Sequence, residues 1–179
     1  ERALQGIHAE LRTLEDRLEP RIALHAALVD TLRSDTLAFA GTFPGFNFVA
    51  PSSEAWQTAQ QTGTVALMDY DVVAPISQTY AVAHILRSVE DRAFDMIFDG
   101  TDYLGFEPER LGDIWALLND VVGVERSLLG RARVALRAIE AKVPALAAPA
   151  AHGTPNADAP NADAAGGGLE QDRIPRFHR

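Results

Sequence analysis

Apolar residues in the first forty positions recur in alternating steps of three and four, the spacing of one helix face. The members of this face, called the seam below, are Leu4, Ile7, Leu11, Leu14 and Leu18. The same register then reaches Arg21 and His25, so we interpret the apolar seam as faltering at Arg21, beside Pro20. A proline inside a helix removes one backbone hydrogen bond and usually bends the axis. The pattern predicts one long helix over 1–40, kinked at Pro20, with residues 1–20 as a possible stalk.

A short capped helix is predicted in the stretch PSSEAWQTAQQTG, residues 51–63. Ser52 or Ser53 precedes its first turn, where a hydroxyl can accept an otherwise unpaired backbone N–H. Gly63 suits the left-handed residue that closes a helix. Trp56 falls on the inward face, so we interpret it as a packing anchor. A second short helix is predicted in the next five residues, TVALM.

Two further long helices are predicted, one from about Tyr70 to Phe98 and one from Pro108 to the residue before Pro144. Pro75 either kinks the first of them or marks its start. The apolar stripe of the first comprises Ile76, Tyr80, Ala83, Leu86, Ala93 and Ile97. That of the second comprises Leu111, Ile114, Leu118, Val121, Leu128, Ala132 and Ile139, with Glu125 as the exception.

These elements predict an all-α fold, an antiparallel bundle of three long helices with one or two short helices in the first crossover. The bundle is expected over residues 1–143. Residues 144–179 are rich in Ala, Pro, Asn, Asp and Gly, and such a composition buries too little apolar area to order the chain. We therefore expect a disordered C-terminal tail. Its last residues, RIPRFHR, are either a docking peptide or a frayed end.

Aromatic side chains outside the predicted helices are concentrated in FAGTFPGFNF at 39–48. Phe43, Phe46 and Phe48 either form an exposed patch for a partner or plug the open end of the bundle, because a buried phenylalanine stabilises by a few kcal/mol. Trp115, on the last helix, is a further packing or interaction candidate.

Composition excludes several classes of function. The formal net charge is −9 at pH 7, which argues against a nucleic-acid partner, because such binding needs a basic face. The absence of cysteine excludes disulfides, thiolate catalysis and cysteine-based metal sites. Lys142 is the single lysine among many alanines and arginines, which is typical of a GC-rich bacterial genome.

Motifs for catalysis or metal binding are missing from the sequence. It contains no G-x-S-x-G elbow, no H-E-x-x-H pair and no lysine after its triple glycine. A calcium loop beginning at Asp95 fails, since its twelfth position is Phe106. His25 and His84 could bind a metal with Asp91, but a hydrogen-bonded histidine is the commoner arrangement. The sequence thus predicts no catalytic residue, no metal site and no cofactor.

Residues 1–95 resemble uncharacterised bacterial single-pass membrane proteins, in which a spanning helix near the N-terminus runs into a charged helical rod. The matching positions, in the rod ERALQGIHAELRTLEDRL and the run after residue 50, are Ser53, Trp56, Thr62, Gly63, Leu67 and Tyr80. The resemblance implies attachment to a bacterial membrane, with the soluble portion in the periplasm. It implies no activity and no catalytic residue.

The resulting expectation is a non-enzymatic, membrane-tethered helical interaction or scaffolding domain. We expect contact with a protein partner or a second copy through the first helix, and with the membrane through a segment that precedes residue 1. The alternative is a sensor-type helical bundle that binds a small ligand between helices.

Overall fold

The computed structural model describes residues 1–34, 52–98 and 111–147, without the side chains of 96–98 and 111. Four α-helices lie in these ranges: α1 Arg2–Ser34, α2 Glu54–Gln61, α3 Tyr70–Phe98 and α4 Leu111–Lys142. Two 3-10 turns, Thr64–Leu67 and Pro144–Leu146, follow α2 and α4. No strand occurs in the described ranges, so the predicted all-α fold is confirmed.

The first helix is continuous through Pro20, whose ring is exposed. Its buried face keeps the predicted register. Ile7, Leu11 and Leu18 are 0–1% exposed, and Arg21 and His25 continue the same face at 6% and 0%. The polar positions are therefore part of the seam, and the interpretation that it falters beside Pro20 is wrong.

Helix α4 runs antiparallel to α1. His8, near the start of α1, contacts Glu140 near the end of α4, while His25 contacts Glu125, which lies earlier in α4. Residue numbers thus increase along α1 in the direction in which they decrease along α4. Both helices pack against each other along their length.

Helices α1 and α3 run in the same direction. Glu10 of α1 contacts Tyr80 of α3, and Arg21 contacts Glu90. Residue numbers therefore increase in the same direction along the two helices. Helix α3 therefore starts at the end of the bundle where α1 began. Helix α2, which precedes α3, packs against α1.

The core near the start of α1 joins all four helices. Ile7 and Leu11 pack there with Trp56, Ile76 and Leu136. The half of α1 before Pro20 is covered by the chain's own helices, so a projecting stalk of residues 1–20 is wrong. Leu4 and Leu14 are partly buried against the same core. The seam is internal to the bundle.

The bundle forms one compact unit, Glu1–Ala148. Leu146, in the turn after α4, is partly buried against the core, so packing extends slightly past the predicted bundle end at residue 143. Among the described helices, none combines the length and apolarity needed to cross a membrane. The predicted tail after residue 147 lies outside the described residues, as do Phe43, Phe46 and Phe48.

Candidate functional site

Four ionisable side chains meet in the middle of the bundle, where apolar residues would be expected. This ion cluster consists of Arg21 and His25 from α1, Glu90 from α3 and Glu125 from α4. His25 and Glu125 are fully buried, and Arg21 and Glu90 are 6% and 5% exposed. Charged residues are rarely this buried unless they are paired.

Glu125 is the centre of the ion cluster. Arg21 Nε lies 2.7 Å from Glu125 Oε1, and His25 Nδ1 is hydrogen-bonded to both carboxylate oxygens at 3.0 and 3.1 Å. Arg21 Nη2 lies 3.1 Å from Glu90 Oε1. Arg21 therefore bridges two carboxyl groups that come from different helices, and the ion cluster connects all three long helices.

The environment of Glu90 favours its protonated form. Burial raises the pKa of Glu90; Arg21 opposes the rise, and the negative charge of Glu125 adds to it. Arginine stays protonated in proteins, so Arg21 supplies a fixed positive charge. The two carboxyl groups share this one permanent cation.

In the sequence, three members of the ion cluster appear only as polar exceptions to an apolar helix face. Arg21 and His25 continue the seam, and Glu125 interrupts the stripe of α4. Glu90 was missed, although it occupies the α3 stripe between Leu86 and Ala93. A polar residue at a core position in each of three helices is the signal that predicts such a cluster.

The N-terminus of α2 is capped by a distant residue. Glu10 Oε1 accepts hydrogen bonds from the backbone N–H of Ala55 at 2.8 Å and from the Ser52 hydroxyl at 3.0 Å. Ser53 makes no side-chain capping hydrogen bond, and its hydroxyl instead accepts one from Gln57. The predicted Ser53 cap is thus wrong, because a carboxylate from α1 accepts the N–H of Ala55 instead. The alternative, Ser52, donates its hydroxyl to that carboxylate.

Other features of this short helix are as predicted. Gly63 adopts the left-handed conformation, with φ of 70°, just after α2 ends. Trp56 is 6% exposed and its ring stacks on Tyr80, with centroids 5.6 Å apart. The Tyr80 hydroxyl donates to Glu10 Oε2 at 2.7 Å. Burial, together with this bond to Glu10, raises the pKa of Tyr80.

Ion pairs line the exposed edge between α1 and α4. Glu15 contacts Arg12 and Arg133, and Glu140 contacts His8 and Arg12. Burial acts to raise the pKa of Glu15, but the hydrogen bonds from the two arginines outweigh it and lower the pKa. The hydrogen bond with His8 is the main cause that lowers the pKa of Glu140.

An open groove of about 650 Å³ lies where α1 begins and α4 ends. Its lining includes Leu4, Leu67, Met68, Val72 and Pro144 on the apolar side, and Glu1, Asp69 and Lys142 on the polar side. Lys142 Nζ lies 2.5 Å from Asp69 Oδ2, and this contact raises the pKa of Lys142. We call this region the groove end.

The remaining predicted candidates do not lie together in one site. His84 is on the surface while His25 is in the ion cluster, so the structure does not bring this pair together. Within the described ranges, no group of three or more potential ligands is placed to hold a metal ion. Trp115 is partly buried against the core near the end of α1, and its Nε1 has no hydrogen-bond partner among the described atoms.

Comparison of the chain with family models, with curated proteins and with solved structures finds no match.

Proposed function

We propose that this chain is a non-enzymatic, membrane-tethered helical interaction domain, and that it contacts a protein partner through the groove end. The observation that carries the proposal is the exposure of two large apolar side chains. Leu67, which lines the groove, is 88% exposed, and Tyr70, three residues later, is 80% exposed. Clustered apolar exposure beside a concave surface is typical of protein-binding sites.

The groove end is favoured over the first helix as the contact surface. The seam that we expected to pair with a partner is buried against the chain's own helices. Elsewhere in the described residues, the large exposed apolar side chains Ile85, Phe94 and Val134 are only 53%, 54% and 47% exposed. Val134 lies on α4 and the other two lie apart from each other on α3, and scattered residues of this kind are normal on a protein surface.

The proposed tether would leave the domain at the same end. Glu1 lines the groove, so a membrane segment preceding it would hold the groove end close to the bilayer. A partner in the same membrane would then meet Leu67 and Tyr70 at a high local concentration, because a tether makes the second contact effectively intramolecular.

Site-specific photo-crosslinking in cells that naturally produce the protein tests this proposal. The crosslinking residue is placed at position 67 or 70, and at the control positions 85 and 134. We expect adducts of one defined mass from the first two positions and none from the controls. The protein should also remain in the membrane fraction after a salt wash. Equal crosslinking at all four positions, or release by salt, would contradict the proposal.

A second candidate function is a sensor-type bundle that binds a small ligand between its helices. The ion cluster favours it, because polar groups from three helices converge in the core. A small charged ligand that entered this region would raise the melting temperature of the wild type but not that of Glu125→Gln. Equal shifts in the two proteins would reject it.

A further inference from the structure

The ion cluster carries an inference that goes beyond the proposed function. It contains one permanent cation, Arg21, and two carboxyl groups, Glu90 and Glu125. With both carboxyls ionised, two negative charges share the one fixed positive charge of Arg21. A proton on one of the carboxyl groups leaves Arg21 opposite a single carboxylate.

We propose that Glu90 holds this proton in the folded bundle at mildly acidic pH and releases it as the pH rises, so that the ion cluster is a pH-sensitive lock between α1, α3 and α4. The geometry supports Glu90 rather than Glu125 as the proton's site. Glu125 lies within 3.1 Å of nitrogen atoms of both Arg21 and His25. Among the described residues, Glu90 has one ion-pair contact at that distance, with Arg21 Nη2.

The surroundings of Glu90 act in the same direction. The ionisable groups that affect it are Arg21 and His25 from α1, Glu125 from α4 and Asp91 on its own helix. Burial is the largest influence and raises the pKa of Glu90 above its ordinary value of 4.5. The two acidic neighbours also raise it, whereas Arg21 and His25 lower it.

The sign of the effect on stability follows from this direction. The folded state binds the Glu90 proton more tightly than the unfolded state does, so the stabilisation is fully present below pH 4.5 and is lost as the pH rises through the folded pKa. Over that range the unfolding equilibrium constant increases by up to about tenfold per pH unit, which corresponds to one proton.

Urea denaturation of the wild type, of Glu90→Gln and of the control Glu15→Gln tests the lock from pH 4.5, the ordinary pKa of a glutamate, up to about pH 8. Glutamine keeps the shape of Glu90 but cannot release the proton. We expect the logarithm of the wild-type unfolding constant to rise with pH. Its slope should be smaller in Glu90→Gln by up to about one unit per pH unit, which corresponds to one proton. The slope of Glu15→Gln should match that of the wild type. Identical slopes in the wild type and Glu90→Gln would overturn the proposal.

Infrared spectroscopy of the wild type gives a second readout that requires no variant to fold. At about pH 6, exposed carboxyl groups with ordinary pKa values are ionised. A protonated carboxylic-acid band at that pH, which weakens as the pH is raised further while the protein stays folded, supports the lock. The absence of such a band at about pH 6 would overturn it, whatever the behaviour of Glu90→Gln.

Discussion

At the scale of single residues, Trp56 is the anchor of the core near the start of α1. It is 6% exposed and stacked on Tyr80 with an interplanar angle of 3°. Trp56→Ala should lower the free energy of unfolding by about 3–5 kcal/mol, because it leaves a cavity where a large ring was packed. Urea denaturation measures this loss, and Trp56→Phe, which keeps a ring, should lose less. An unchanged midpoint for Trp56→Ala would show that the ring contributes no packing.

Glu10 and Ser53 provide a second prediction at this scale. Glu10→Ala removes the acceptor for the Tyr80 hydroxyl and the Ala55 N–H, and should cost about 1–3 kcal/mol, the penalty for leaving such groups unpaired. Ser53→Ala, at a residue without a capping bond, should change stability by less than about 0.5 kcal/mol. Denaturation of both variants in parallel compares them. A Ser53→Ala loss as large as that of Glu10→Ala would restore Ser53 as the cap.

These residues also show how far local patterns are informative. Trp56 and Gly63 were predicted correctly because their roles depend on neighbours within a few positions, a helix face and a helix end. The cap on α2 was assigned to the wrong residue because Glu10 is 45 positions before Ala55. A local motif cannot indicate a contact that only the packing of α1 against α2 creates.

At the scale of helices, the glycines of α1 and α4 differ in what surrounds them. A Cβ at Gly6 would lie 3.2 Å from the Ala55 Cβ, whereas at Gly130 it would meet nothing within 4 Å. Gly130→Ala should stabilise by about 1 kcal/mol through helix propensity alone. Gly6→Ala should gain less or lose stability, because α2 must shift to make room. Thermal and urea unfolding compare the two variants; equal stabilisation would show that α1 and α2 are not in close contact.

The register predicted for α1 was correct, but the interpretation of its polar positions was wrong. Steps of three and four correctly indicated the buried face of α1 through Leu32. Arg21 and His25 were interpreted as an interruption, because a periodic analysis treats one helix at a time. Both side chains contact Glu125 on α4, and Arg21 also contacts Glu90 on α3. The polar exceptions on the apolar faces of α1, α3 and α4 therefore become interpretable only when the three helices are considered together.

At the scale of the whole molecule, the sequence predicted three long helices but not which of them would cover the seam. Helix lengths alone allowed either a projecting stalk or internal packing. The positions of α2 and of the start of α3 decide between these, because both pack beside the first turns of α1. Contact with a partner through the seam would require this core to open.

Leu11→Asp tests this architecture directly. Leu11 is fully buried in the core that joins α1, α2, α3 and α4, so an aspartate there would place a carboxylate among apolar side chains. Burying an unpaired charge is costly enough that we expect the bundle to unfold. Circular dichroism should show loss of helix and of the cooperative melt, and light scattering should show no folded species of reduced mass.

The matched control is Leu67→Asp, which introduces the same charge at a side chain that is 88% exposed. Helix content and the melting transition should stay close to those of the wild type, since exposed substitutions usually change stability by less than about 0.5 kcal/mol. Any change in this variant should therefore appear in partner crosslinking at the groove end. If Leu11→Asp instead remains folded and has a lower mass than the wild type, the seam joins two chains and internal packing is wrong.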